Sequence, residues 1–279
     1  MVRLFRLVSV YVALHTTLVF AQSPTFEDDH FVGRYTAAAN SDKMPVIVLG
    51  GSEGGFPDRL EKPVIAAGHP VLSVAYFKHA ALPAELEHIP LEYFGHALSW
   101  LRKNNKQAAE GIMVVGWSKG AELALILASE HSEVQRVIAI APSSVVWAGI
   151  LSDYTKVPGS SWTKGGEPLP HVPFKPAGKV NGLLDLYTQS LANRADNGAA
   201  DIHVESIAAS VLLLTGSDDE IWPSPAMAST VCDKLNEASE GQCRHVNLNG
   251  RGHLLDEAFT SPQGELYEKF QGWLGNSEN

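Results

Sequence analysis

Cysteine is scarce in this sequence: Cys232 and Cys243 are the only two among 279 residues, which allows one disulfide at most. Positive charge is also in deficit, with 21 Lys and Arg against 31 Asp and Glu. The basic residues are scattered, so the electrostatic footprint of a nucleic-acid binder is missing and nucleic acid is not expected as a partner. Beyond the N-terminus no apolar run is long enough to span a bilayer, no low-complexity tract occurs, and no repeat of solenoid period is present. There is no His-Glu-x-x-His pattern, and neither His245 nor His253 belongs to a recognisable ligand motif, so the reading expects no metal and no cofactor.

What is present begins with an address segment. Arg3 and Arg6 precede an apolar run from Leu7 to Phe20, and Val19 and Ala21 are the small residues a signal peptidase reads. The alternative is an uncleaved anchor, but Ser9, His15, Thr16 and Thr17 interrupt the run. The expectation is a signal peptide over 1–21, one domain over 22–279, no stable membrane anchor after cleavage, and export to a periplasmic or extracellular space. An exported chain meets oxidising conditions, so Cys232 and Cys243 are expected to pair; the alternative is two buried thiols in a helix and the strand after it.

Apolar, β-branched runs at Pro45–Leu49, Val71–Ala75, Ile112–Val115, Val137–Ile140 and Val211–Thr215 have the length of buried strands. Between them Leu60–Ala67, Leu91–Lys103, Ala121–Glu130 and Ala226–Ala238 carry a helical period. Strand alternating with helix predicts a mostly parallel sheet with helices on both faces, the α/β class. From about 148 to 205 the alternation breaks into Pro, Gly, Ser and Trp, with a possible helix at Leu183–Ala192. A connection that long is usually functional, and the reading makes it a cap-like insertion over the site; an inert surface excursion is the alternative.

Sheets of this class bind ligands beyond the carboxyl ends of their strands. After the third run stands Gly116-Trp117-Ser118-Lys119-Gly120, the G-x-S-x-G turn of an α/β-hydrolase in its strand–turn–helix setting. A serine hydroxyl is a weak nucleophile that needs a base oriented by a third group, and this fold supplies them in the order Ser, acid, His. Gly216-Ser217-Asp218-Asp219-Glu220-Ile221-Trp222-Pro223 follows the last run, and Gly250-Arg251-Gly252-His253 follows a short strand at Arg244–Leu248. Ser118, Asp219 and His253 are therefore the candidate catalytic residues, Asp218 being the alternative acid. The amides of Lys119 and, from the loop Gly50-Gly51-Ser52-Glu53-Gly54-Gly55, of Ser52 are the candidate oxyanion donors. That loop lacks the Gly-Lys-Ser/Thr ending of a phosphate-binding P-loop. Tyr76, Ser143 and Trp222 follow strand ends and are candidate substrate-binding residues, with plain packing as the alternative.

Several blocks go beyond the generic turn. The glycine loop, Ile89-Pro90-Leu91-Glu92-Tyr93-Phe94, Ser118-Lys119-Gly120-Ala121-Glu122-Leu123, the acidic loop to Ser224 and Gly252-His253 together resemble the C-terminal catalytic domain of the acyl-CoA thioesterases and bile acid-CoA:amino acid N-acyltransferases. The resemblance spans roughly Val46 to Leu254 and puts Ser118, Asp219 and His253 on the family's nucleophile, acid and base. It implies serine in the thioesterases and cysteine in the amino acid N-acyltransferases, so Ser118 favours hydrolysis. Two departures stand out. The family's N-terminal β-sandwich is not expected here, with only about 24 residues between Ala21 and the first core strand, and the expected export signal leads away from cytosolic CoA esters. The reading is a serine hydrolase of a small-molecule acyl thioester or carboxylic ester. An acyltransferase using an amine acceptor and a non-catalytic binding protein on the same fold are the alternatives.

Overall fold

The computed structural model describes residues 25–275, apart from 29, 39–40, 81, 196 and 256–258. The expected signal peptide over 1–21 lies outside the described residues. An eight-stranded sheet is built from β1 (Thr25–Asp28), β2 (Phe31–Thr36), β3 (Val46–Leu49), β4 (Val71–Ala75), β6 (Ile112–Trp117), β7 (Val134–Ile140), β10 (Ser210–Gly216) and β11 (Cys243–Leu248), in the spatial order β1-β2-β4-β3-β6-β7-β10-β11. From β4 to β11 all neighbours run parallel, while β1, β2 and β4 pair antiparallel at one edge.

The apolar runs become strands because both of their faces are covered. Ile47, Leu49, Leu72 and Val114 pack into one layer with α2 (Leu91–Asn104), α3 (Lys119–Glu130) and α5 (Ser224–Ala238). Their neighbours Val46, Val48, Val71, Met113 and Val115 pack into the other with α1 (Asp58–Ala66) and α6 (Tyr267–Gly275). Successive strand residues point to opposite faces, so a strand buried on both sides reads as continuous apolar sequence. In α2, Leu91, Phe94, Ala97, Leu98 and Leu101 are buried along one face, the spacing of an amphipathic helix. Among the described residues no helix is long and apolar enough to cross a membrane.

The five strand runs and the short strand after them all appear, as do the four helices and the helix at Leu183–Ala192, here α4. Periodicity missed β1 and β2, short strands at the antiparallel end of the sheet that carry charged or polar residues, and α6. It also missed a small separate sheet of β5 (Ile89–Pro90), β8 (Trp162–Lys164) and β9 (Glu167–Pro168). Through that sheet the 148–205 insertion attaches to the residues just before α2, and Trp147, Val172 and Tyr187 bury it against Trp222 and Met227. Cys232 on α5 is disulfide-bonded to Cys243 at the start of β11, with Cα atoms 5.1 Å apart.

Candidate active site

β6 delivers the chain to Ser118, whose φ of 55° and ψ of −117° place a non-glycine residue in sparsely populated backbone space. The turn is possible because its flanks are glycines. A Cβ on Gly116 would run into the carbonyl of Gly120, and one on Gly120 into the carbonyls of Leu49 and Gly50. The Ser118 amide donates to the Ile140 carbonyl at 2.8 Å, and the Ser118 carbonyl accepts from Ala121 and Glu122 in the first turn of α3. Lys119 and Gly120 are the first two residues of α3, so their amides have no acceptor within the helix.

His253 reaches Ser118 from the loop after β11. Gly216 lies so close to the carbonyls of Arg251 and Gly252 that a side chain there would collide, which ties the end of β10 to the histidine loop. The His253 amide donates to a Glu220 carboxylate oxygen at 3.0 Å, and the indole N–H of Trp117 donates to the His253 carbonyl at 3.4 Å. Its Nε2 lies 3.0 Å from Ser118 Oγ, and its Nδ1 lies 3.0 and 2.9 Å from the two oxygens of Asp219. With the Nδ1 proton donated to a carboxylate, Nε2 presents its lone pair to the serine hydroxyl.

Asp219, not Asp218, meets the histidine. Asp218 is exposed and accepts from the Ser217 hydroxyl, whereas Asp219 is buried and also accepts from the amides of Ile221 and Trp222 and from the Ser224 hydroxyl. Burial by itself would raise the Asp219 carboxyl, but the bond and charge of His253, with the Ser224 and Ile221 bonds, outweigh it and hold the group below its ordinary value. The carboxylate is thus ionised and fixed at neutral pH.

A cavity of about 560 Å³ opens beside Ser118 and His253. Gly50, Ser52, Glu53 and the stretch from Phe56 to Leu60 form one wall, with Trp117 and Leu254 completing it. Ser52 borders this cavity, as its candidate role requires. The amide of Gly51 is taken up by the Glu53 carboxylate at 3.0 Å, and the Gly51 backbone packs directly on Ser118 and Trp117.

The other expected binding residues are placed differently. Tyr76 is buried and donates its hydroxyl to the Gly50 carbonyl at 2.6 Å; Ser143 is buried and bonded to Val145; Trp222 is buried and donates to the Ala141 carbonyl at 3.2 Å. None of the three lines the cavity. Trp222 packs edge-on to the His253 ring at 5.7 Å, so it braces the histidine. The 148–205 insertion likewise contributes no residue to this cavity wall. It stands beside the site, linked to it by Tyr187, which packs edge-on to Trp222 at 5.6 Å. Sequence reasoning gave no role to Glu220, Ser224 or Trp117. The first two stood inside the acidic loop already singled out, but only the folded turn shows what they hold. Glu53 stood inside the quoted glycine loop without a role of its own, and Phe56 and Arg59 carried no motif signal.

Residues 89–274 match the family described as BAAT / Acyl-CoA thioester hydrolase C terminal. The chain belongs to this family. Acyl-coenzyme A amino acid N-acyltransferase 2 of Mus musculus is 26% identical over 215 residues, covering 77% of this chain and 50% of that protein. The mitochondrial acyl-coenzyme A thioesterase 2 of Mus musculus is 26% identical over 216 residues, covering 77% and 45%. The chain therefore spans about half the length of the curated relatives it matches. Among solved structures, an Agrobacterium tumefaciens protein of unknown function classed provisionally as an α/β hydrolase superposes with a TM-score of 0.56 at 15% identity, covering 90% of this chain and 94% of that one. With the parallel sheet and the turn at Ser118, the fold is that of the α/β hydrolases.

Proposed function

We propose that this family member is a serine hydrolase that cleaves an acyl thioester or carboxylic ester through an acyl-enzyme. The observation that supports the reading most is the unbroken hydrogen-bond chain from Ser118 Oγ through His253 to Asp219, opening on a cavity. Ser118 Oγ attacks the carbonyl carbon while His253 Nε2 takes its proton, and Asp219 stabilises the imidazolium. The oxyanion of the tetrahedral intermediate is met by the amides of Lys119 and Ser52. Collapse expels the thiol or alcohol, which takes the proton from His253. Water, deprotonated by the same histidine, then adds to the acyl carbon and releases the acid and Ser118.

Membership of a family whose matched relatives are named as thioesterases and N-acyltransferases supports acyl transfer chemistry at this site. The N-acyltransferase relatives keep a second reading open, in which an amine replaces water. The joined cysteines, on the other hand, favour the exported setting expected from the N-terminal segment.

The test is hydrolysis of a short p-nitrophenyl ester and a matched acyl thioester by the chain and by Ser118→Ala. Loss of both activities in the variant is expected. Equal turnover by the two proteins would sink the serine mechanism. Amide formation when an amine is added, in place of free acid, would favour the second reading.

A further inference from the structure

Directly behind the reactive serine lies a charged cluster that the proposed chemistry does not use. Lys119 and Glu122 are both fully enclosed, 1% and 0% exposed, and the ammonium stands 2.7 Å from each carboxylate oxygen. Burial lowers the lysine and raises the glutamate, each against the attraction of the other. A buried ion pair is weak evidence for stability, because well-packed apolar residues of similar size often serve as well or better. Its partners therefore matter more than its presence.

Glu122 joins three parts of the protein. Its backbone amide donates to the Ser118 carbonyl at 3.0 Å. Its Oε1 accepts the indole N–H of Trp162 at 2.7 Å and the amide of Trp147 at 3.3 Å, both from the insertion and its root. The Lys119 ammonium also lies over the Trp162 ring, 5.5 Å from its centre. Trp162 in turn packs on Tyr76 at 5.8 Å, and the Tyr76 hydroxyl holds the Gly50 carbonyl at the head of the loop that carries Ser52. One end of this brace thus sits at the Lys119 amide and the other at the Ser52 loop, the two candidate halves of the oxyanion hole.

We propose that the Lys119–Glu122 pair, with Trp162 and Tyr76, is a cross-brace that sets the spacing of the two oxyanion donors, and that Glu122 is a positioning residue for the reaction. The insertion then serves catalysis from behind, by carrying Trp162, rather than by covering the substrate. The inference rests on Ser118 being the nucleophile.

Glu122→Gln keeps the size and acceptor oxygen but leaves the lysine without its counter-charge; Trp162→Phe keeps a ring and removes the indole donor. For Glu122→Gln, kcat on a p-nitrophenyl ester is expected to fall roughly 10- to 100-fold with KM nearly unchanged, as a small misplacement of donors would cause. Affinity for phenylboronic acid, which forms a tetrahedral anionic adduct with a nucleophilic serine, should fall in step. Trp162→Phe should lower kcat several-fold in the same pattern, and it decides the matter if Glu122→Gln does not fold. A lowered Tm with kcat and boronate affinity unchanged in the folded variant, or a rise in KM alone, overturns the brace. Ser118→Ala run alongside separates the readings: if it retains turnover, the nucleophile is misassigned, whatever Glu122 does.

Discussion

The two sides of Ser118 are built to different standards. On one side Asp219 and His253 are 5% and 3% exposed, and both carboxylate oxygens of the aspartate are engaged. Behind them the Cys232–Cys243 bridge ties α5, whose first residue Ser224 holds Asp219, to β11, whose end leads to His253. On the other side, Ser52, Glu53, Asp58 and Arg59 are exposed and Phe56 is half-buried. That wall is fixed mainly at its base, where Tyr76 holds Gly50, Glu53 holds Gly51 and Lys78 reaches the Ser52 carbonyl at 3.2 Å. Proton transfer needs hydrogen-bond distances held to a few tenths of an ångström, while a substrate wall needs room. If the proposed serine mechanism holds, proton transfer and substrate fit fall on opposite sides of one serine, so substitutions on each side should have different kinetic signatures.

The largest effect is expected on the fixed side. Asp219→Asn preserves shape but removes the charge that orients His253, and kcat should fall roughly 10³- to 10⁴-fold on a p-nitrophenyl ester while the circular dichroism spectrum is unchanged. Asp218→Asn, on an exposed side chain, should change kcat by less than about twofold. A larger loss from position 218 than from position 219 would break the comparison at its foundation.

The bridge should show in stability more than in binding. Cys232 and Cys243 are 11 residues apart, and closing so short a loop is worth about 3 kcal/mol in the chain-entropy account. The paired change Cys232→Ala with Cys243→Ala should lower the urea unfolding free energy by about 2 to 3 kcal/mol and leave KM in place. An unaltered midpoint would mean that the fixed side is held by packing alone.

Acid gives a smaller effect with a definite sign. Asp219 is depressed below its ordinary value, so its contribution is complete above the usual carboxylate range, near about pH 4, and is lost as pH falls through its own lower value. The stability gap between the chain and Asp219→Asn should therefore be wide at neutral pH and shrink progressively as pH falls below the usual carboxylate range, by urea unfolding at each pH. A gap that widens in acid would contradict the depressed carboxylate.

The fixed side was also the more legible one. Strands buried on both faces, such as Val46–Leu49 and Val211–Thr215, must be written as nearly continuous apolar sequence. The glycines at 116, 120 and 216 mark backbone approaches that admit no side chain. Strands β1 and β2, at the antiparallel end of the sheet, are less thoroughly covered and obey no such rule, and the two- and three-residue strands of the small second sheet leave no period to detect. Knowing that Tyr76, Ser143 and Trp222 follow strand ends did not say which way their side chains turn. All three turned inward, because each has a backbone carbonyl within reach and a packed neighbour to cover it. Glu122 was legible as part of a motif, but its indole and amide partners from Trp162 and Trp147 come from 40 and 25 residues away, beyond any local pattern.

The smallest effect belongs to the open wall and is the sharpest test of its role. Leu254 follows His253, is 51% exposed and lines the cavity. Its side chain is thus available to a bound acyl group while contributing little to the core. Leu254→Ala should leave the unfolding midpoint within about 0.5 kcal/mol of the parent chain. Burial of a leucine side chain against substrate is worth up to about 2 kcal/mol, and a half-exposed one forfeits part of that, so KM for a longer acyl ester should rise about three- to tenfold. For an acetyl ester, too short to reach the residue, KM should barely change. If the two esters respond equally, Leu254 acts through His253 and not through the acyl chain, and the wall would have to be counted with the proton-transfer machinery.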